Sequence, residues 1–181
     1  MTPQKIAPQS ISAETFTDPR TRALLSHTGS TTSLLEHLLD DRVDVHTMDL
    51  SQAAVDQTCP EAAAPLRLPT GAVVLIRRTT LATTRHQVSR NLVLAPLGRL
   101  NWTDTLLLSC TAPLGRHLPQ PHDRHSLGLG LDSWAPGRAA ASRWYLIIDP
   151  GSAQAALFIR ETFNPDLFDP ATTYVPSDAR P

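Results

Sequence analysis

Two charged side chains fall on strand faces that are otherwise apolar. Residues 71–83 alternate so that Val73, Leu75, Arg77, Thr79 and Leu81 share one face, while Arg78 lies opposite with Val74, Ile76 and Thr80. In residues 155–163 the same alternation puts Glu161 on a face with Leu157, Ile159 and Phe163. A charge among apolar neighbours is costly unless it is paired or meets a ligand. Two chemistries are open. Arg77 and Glu161 form a structural ion pair with no ligand, or they serve a bound ligand. A third cluster, His117, His122 and His125 with Asp123, has metal-ligand types. It lies in a Pro/Gly-rich stretch with no element to fix its geometry, so it reads as a solvated loop and no metal is expected.

The bulk composition narrows these options. The chain has 181 residues, 16 basic and 17 acidic side chains, a net charge of -1 and 41% hydrophobic residues. That length holds one domain with a sizeable core, and the charge balance gives no basic field for nucleic acid. All the basic residues are arginines except Lys5, in the polar leader, so Schiff-base, pyridoxal-phosphate and Walker-type phosphate chemistry lack their amine. Gly128-Leu129-Gly130 has neither the preceding strand nor the third glycine of a nucleotide loop. Cys59 and Cys110 stand far apart, which suggests neither a disulfide framework nor a zinc site; Cys110, after three leucines, reads as a buried small residue. No apolar run approaches the roughly 20 residues of a membrane span, and residues 1–10 have no signal-peptide core. The expectation is a cytoplasmic protein, with Asn101-Trp102-Thr103 a chance sequon.

The elements that must position these groups follow from caps and periodicity. Residues 1–18 read as a polar leader, 19–168 as the domain and 169–181 as a proline-rich tail. Asp18-Pro19 predicts a capped helix through Leu24 and Leu25, and Ser30 or Thr31 caps a second helix over Leu34, Leu35, Leu38 and Leu39. Residues 42–50 predict a half-buried strand, and 52–69 a Pro/Ala-rich loop with one weak helical turn. Strands at 71–83 and 87–95 are joined by a hairpin turn at 83–86. Thr103 opens a short helix over Leu106–Leu108, a brief segment follows Pro113, and 119–138 form a long loop. Strands at 142–148 and 155–163 flank the turn Asp149-Pro150-Gly151-Ser152. Trp134 and Trp144 pack on core or lid. The pattern is an α+β single domain, an antiparallel β-sheet flanked by helices.

Four segments in register resemble the chorismate pyruvate-lyase family over residues 20–168. They are Leu24-Leu25 through Gly29-Ser30-Thr31-Thr32 to Val43-Asp44-Val45, then Val74-Leu75-Ile76-Arg77, then Pro113-Leu114-Gly115-Arg116, then Glu161-Thr162-Phe163. The resemblance implies a chorismate lyase-like fold and the elimination of pyruvate from chorismate to give 4-hydroxybenzoate, with no cofactor. It puts Arg77 on a substrate carboxylate and Glu161 at the C4 hydroxyl and its proton, as orienting group or base. Thr31 and Leu114 match positions whose backbone touches ligand. Thr31 stands where relatives carry Met or Leu, and Ser33 where a Lys or Arg is common, which bears on substrate choice. Arg143 is expected at the surface, with a second substrate carboxylate as its alternative.

The partner implied is chorismate, with no nucleic acid, no membrane and a monomeric chain. The rival reading, from a different class, is a non-catalytic sensing module for an aromatic acid, since effector domains of some transcription regulators resemble the same fold. A lyase relative that is inactive or takes another enolpyruvyl ether is the third.

Overall fold

A computed structural model describes residues 11–97, 114 and 123–173. Helices α1 (Pro19–Ser26) and α2 (Thr31–Leu39) precede strand β1 (Asp44–Ala54), a single turn α3 (Val55–Thr58), β2 (Val73–Ala82), β3 (Gln87–Pro96), β4 (Asp123–Ala135), β5 (Arg138–Ile148) and β6 (Ala155–Phe163). The strands form one antiparallel sheet in the order β1-β2-β3-β6-β5-β4. It is two three-stranded meanders joined where β3 pairs β6.

Both helices begin as their sequences predict. The Asp18 carboxylate accepts from the backbone N–H groups of Arg20 and Thr21 with Pro19 in the first position, and Ser30 Oγ accepts from Ser33 N–H. α2 ends at Asp40, in the left-handed region at φ 49°, where its N–H reaches back to Glu36 O. The hairpin at 83–86 closes with Thr83 N–H donating to His86 O at 2.9 Å.

The faces of the sheet carry separate cores. On one face α1 and α2 bury Leu24, Leu25 and Leu35 against Leu81, Val88, Phe163 and Phe168. Next to them on that face Leu75, Val93, Tyr145, Ile147 and Ile159 form a second cluster. On the other face α3 and the segment after it bury Val55, Cys59 and Leu66 against Val74, Ile76, Leu94, Leu146 and Phe158. Phe16, within the stretch read as a leader, is fully buried, and it bridges to Thr172 in the stretch read as a tail.

One assignment is corrected outright. Residues 123–135, expected inside a long loop, form β4, the edge strand on β5. Gly128 and Gly130, which argue for a loop by composition, serve the pairing. A Cβ at Gly128 would come within 3.0 Å of the Trp144 ring, so the glycine lets that ring lie across the strand beside a bulge at Ser126/Gly128. The other edge, β1, runs to Ala54, beyond its expected end, and bulges at Thr47/Asp49. The expected helix after Thr103, most of the segment after Pro113, Cys110, His117 and His122 lie outside the described residues. Among the described residues, no helix is long and apolar enough to cross a membrane.

Candidate functional site

Register builds the site from two alternate rungs of the sheet, which share a face. One rung runs Thr79–Asn91–Glu161–Arg143 across β2, β3, β6 and β5. The next runs Arg77–Val93–Ile159–Tyr145 across the same strands. Residues at matched positions on neighbouring strands point to the same face. The two rungs therefore lay a floor that is polar on one side and mixed on the other.

Over this floor lies a cavity with ≈ 540 Å³ of empty volume, partly open to solvent. Its walls include Thr31 and Thr32 from the first turn of α2, and Leu81, Leu114 and Arg124. The four residues singled out from sequence, Arg77, Glu161, Thr31 and Leu114, thus line one cavity.

The pairing inside it is not the Arg77–Glu161 ion pair, one of the two readings that the sequence left open. Glu161 is bonded to Arg143, its direct neighbour on β5, rather than to Arg77: Arg143 Nε donates to Glu161 Oε2 at 2.7 Å. The same guanidinium donates to Leu24 O, His27 O and Thr31 Oγ1, each at 2.7 Å. Thr31 Oγ1 in turn donates to Glu161 Oε2 at 3.3 Å. Arg143 is 4% exposed, so its expected surface location is corrected. Burial opposes its charge, but the facing Glu161 carboxylate outweighs burial and its proton is held more tightly than usual. The Thr31 side chain, which stands where relatives carry an apolar residue, completes the ring of bonds.

Arg124 and Tyr145 were not singled out from sequence. The Arg124 guanidinium lies 4.3 Å from the Tyr145 ring centroid. Its Nε and Nη1 are out of solvent and have no hydrogen-bond partner among the described residues. A guanidinium set in that way leaves donors to be satisfied by a ligand or by water. Burial, with the nearby Glu161 charge, pushes the Tyr145 hydroxyl well above the usual phenol range, so it stays protonated. His27, where α1 ends, is pushed down by burial and by the Arg143 charge.

A sequence signal for Arg143 did exist. It shares a strand face with Tyr145 and Ile147, the same alternation that singled out Arg77. Arg124 had none, because its stretch did not read as a strand. Asp123 and His125, the described members of the histidine-rich cluster, stand on β4. Among the described residues no group of three or more His, Cys, Asp or Glu is placed to hold a metal ion. Cys59 is buried, which raises its thiol to about 12 and leaves it inert at neutral pH.

No protein-family model matches the chain, and no curated protein matches its sequence. Solved structures do. PhnF from Mycobacterium smegmatis matches at 15% identity and TM-score 0.59, over 79% of this chain and 67% of that one. The effector domain of the same protein matches at 15% identity and TM-score 0.58, over 77% and 91%. The ligand-binding domain of a protein described as a GntR-family transcriptional regulator from Bordetella bronchiseptica matches at 15% identity and TM-score 0.51, over 70% and 85%. Coverage rises from 67% of PhnF to 91% of its effector domain, so the likeness is to that domain. At this identity it shows the fold, an α+β, chorismate lyase-like single domain with an antiparallel sheet.

These likenesses overturn two expectations. The matched structures include the ligand-binding domain of a transcriptional regulator and an effector domain, so an enzyme that eliminates pyruvate from chorismate is not supported, and neither is chorismate as substrate. The expectation of no nucleic-acid partner falls with it, because the matched proteins are described as transcriptional regulators. Glu161 Oε2 accepts from both Arg143 and Thr31.

Proposed function

We propose that this domain is a non-catalytic sensing module that binds a small aromatic acid in the cavity above β2, β3, β5 and β6. The observation that carries the reading is Arg124, whose Nε and Nη1 are out of solvent and without a hydrogen-bond partner among the described residues at the cavity wall. Arg77 lines the same cavity and is itself 2% exposed. The lining thus holds two arginines and one carboxylate, and that carboxylate is already engaged by a third arginine. Such a charge balance suits an anion, and the planar guanidinium suits a carboxylate. Leu81, Val93, Leu114 and Ile159 supply apolar walls for a ring, as small-molecule sites generally do. Glu161 at the polar end of the floor accepts a ligand hydroxyl.

Binding without turnover is what an effector domain does. The cavity's own partner is the small molecule, and nucleic acid is the partner of the regulator as a whole, in the cytoplasm.

Thermal unfolding and calorimetry with benzoate, 4-hydroxybenzoate and 4-hydroxybenzyl alcohol test the reading. The acids raise the melting temperature as mass action requires, and the alcohol does not. Arg124→Gln and Arg77→Gln each weaken 4-hydroxybenzoate about tenfold or more, the worth of a charged hydrogen bond. If neither acid binds at millimolar concentration, or both variants bind as wild type does, the reading fails.

A further inference from the structure

The sheet face opposite the cavity is apolar only in part. α3 and the segment after it pack on Val74, Ile76, Leu94 and Phe158. α3 ends at Thr58, and beyond it the same face turns polar. The next two rungs on that face run Arg78–Leu92–Arg160 and Thr80–Arg90–Thr162 across β2, β3 and β6. Neighbours on such rungs, direct or diagonal, lie within reach of long side chains, and like charges there repel. Arg78, Arg90 and Arg160 thus come from three adjacent strands to line one open groove, with ≈ 1150 Å³ of empty volume.

Each guanidinium is held by one group and keeps donors to spare. Arg78 Nη1 donates to Asp49 at 2.7 Å, and Arg160 Nη1 donates to Glu61 at 3.1 Å. Neither of those carboxylates lines the groove; Asp132 does, 3.6 Å from Arg160 Nε and accepting from Thr162 Oγ1 at 3.1 Å. Arg90 meets no carboxylate among the described residues. Its Nη1 donates to Trp134 O, and its guanidinium lies 4.3 Å from the Trp134 ring centroid. A guanidinium carries five N–H donors, so all three arginines retain donors that these bonds do not use.

We propose that this groove is a second binding site, for a phosphate group, with Arg90 as its central contact. The lining sets three arginines against one carboxylate. That excess of two positive charges matches a phosphate group, which carries nearly two negative charges at neutral pH. A tetrahedral oxyanion can take donors from all three strands at once, and charged bonds of this kind are the strong ones. Trp134 fixes the Arg90 guanidinium before a ligand arrives, so little order is lost on binding. The site stands apart from the aromatic-acid reading, because Arg78, Arg90 and Arg160 line the groove and none of them lines the cavity.

Nuclear magnetic resonance of the full chain can follow the arginine Nε–H signals as inorganic phosphate is added. The signals of Arg78, Arg90 and Arg160 should shift and saturate in the millimolar range, while potassium chloride at the same ionic strength leaves them in place. Arg90→Gln should weaken phosphate about tenfold or more. Asp132→Asn gives a sign that a purely structural role does not share. It removes the lining carboxylate while its amide oxygen can still accept from Thr162, so phosphate should bind about threefold to tenfold tighter.

No shift, or shifts confined to Arg77 and Arg124 in the cavity, overturns the site. So does wild-type affinity in Arg90→Gln, or weaker binding in Asp132→Asn. Glycerol 3-phosphate separates the two sources of a phosphate group, and either result supports the site. Tighter binding than inorganic phosphate assigns the groove to a phosphate ester, and weaker binding assigns it to the free anion.

Discussion

Arg77 and Arg78 are chain neighbours, as are Arg160 and Glu161, yet the two faces of the sheet treat them differently. On the cavity face Glu161 and Arg143 are about 5–7% exposed at the side chain and share a 2.7 Å bond. On the other face Arg78 pairs Asp49 at 2.7 Å with both side chains more than 40% exposed, and Arg160 pairs Glu61 at 3.1 Å with both about a third exposed. The bond lengths barely separate these pairs; the surroundings do. An exposed pair trades one solvated arrangement for another, while a buried pair has given up its water and depends on its partner. The two faces of one strand thus divide labour: one tolerates loss of a partner, and the other does not.

The largest break in this contrast should come from Glu161→Ala. It strands the Arg143 guanidinium and should cost about 3–5 kcal/mol in urea unfolding. The double replacement Arg143→Met with Glu161→Leu should recover most of that loss, because neither charge is then buried alone. A cost below about 1 kcal/mol for the single change would mean that the face is wetter than its exposure indicates.

A smaller effect belongs to the helices that roof the cavity face. Asp18→Ala removes the cap of α1 and should cost about 1 kcal/mol at neutral pH. Burial works against the Asp18 charge, but bonds from the Thr21 side chain and from the Thr21 and Arg20 amides outweigh it, and its pKa lies below the ordinary value. A group lowered on folding contributes fully above its unfolded pKa of about 3.9, and the contribution is lost as pH falls through the folded value. The gap between wild type and Asp18→Ala should therefore shrink below about pH 4; a gap that persists to pH 2 would refute the cap as its source.

The smallest effect is expected on the outer face. Asp49→Asn should change stability by less than about 1 kcal/mol, and raising the salt should erase most of the difference. A loss as large as that of Glu161→Ala would abolish the distinction between the faces.

How much of this was legible depended on distance along the chain. The caps at Asp18 and Ser30, the hairpin at 83–86 and the strand faces of Arg77 and Glu161 are local, and alternation or turn chemistry reads them. β4 was not legible because Gly128 answers to Trp144 on the next strand, and a composition rule treats a Gly-rich stretch as loop. Arg143 was half legible: its face could be read, but its partner could not.

By itself the sequence determined which charges share a face with apolar side chains, where the helices start and that lysine chemistry is absent. Only the tertiary structure decided which charge meets which. β3 and β6 are joined across more than sixty residues of chain, and that pairing, with β5 beside β6, puts Arg143 rather than Arg77 opposite Glu161. The period of a strand is a property of its own backbone. The register between strands is a property of the whole packed sheet, and the floor of the cavity is a consequence of register.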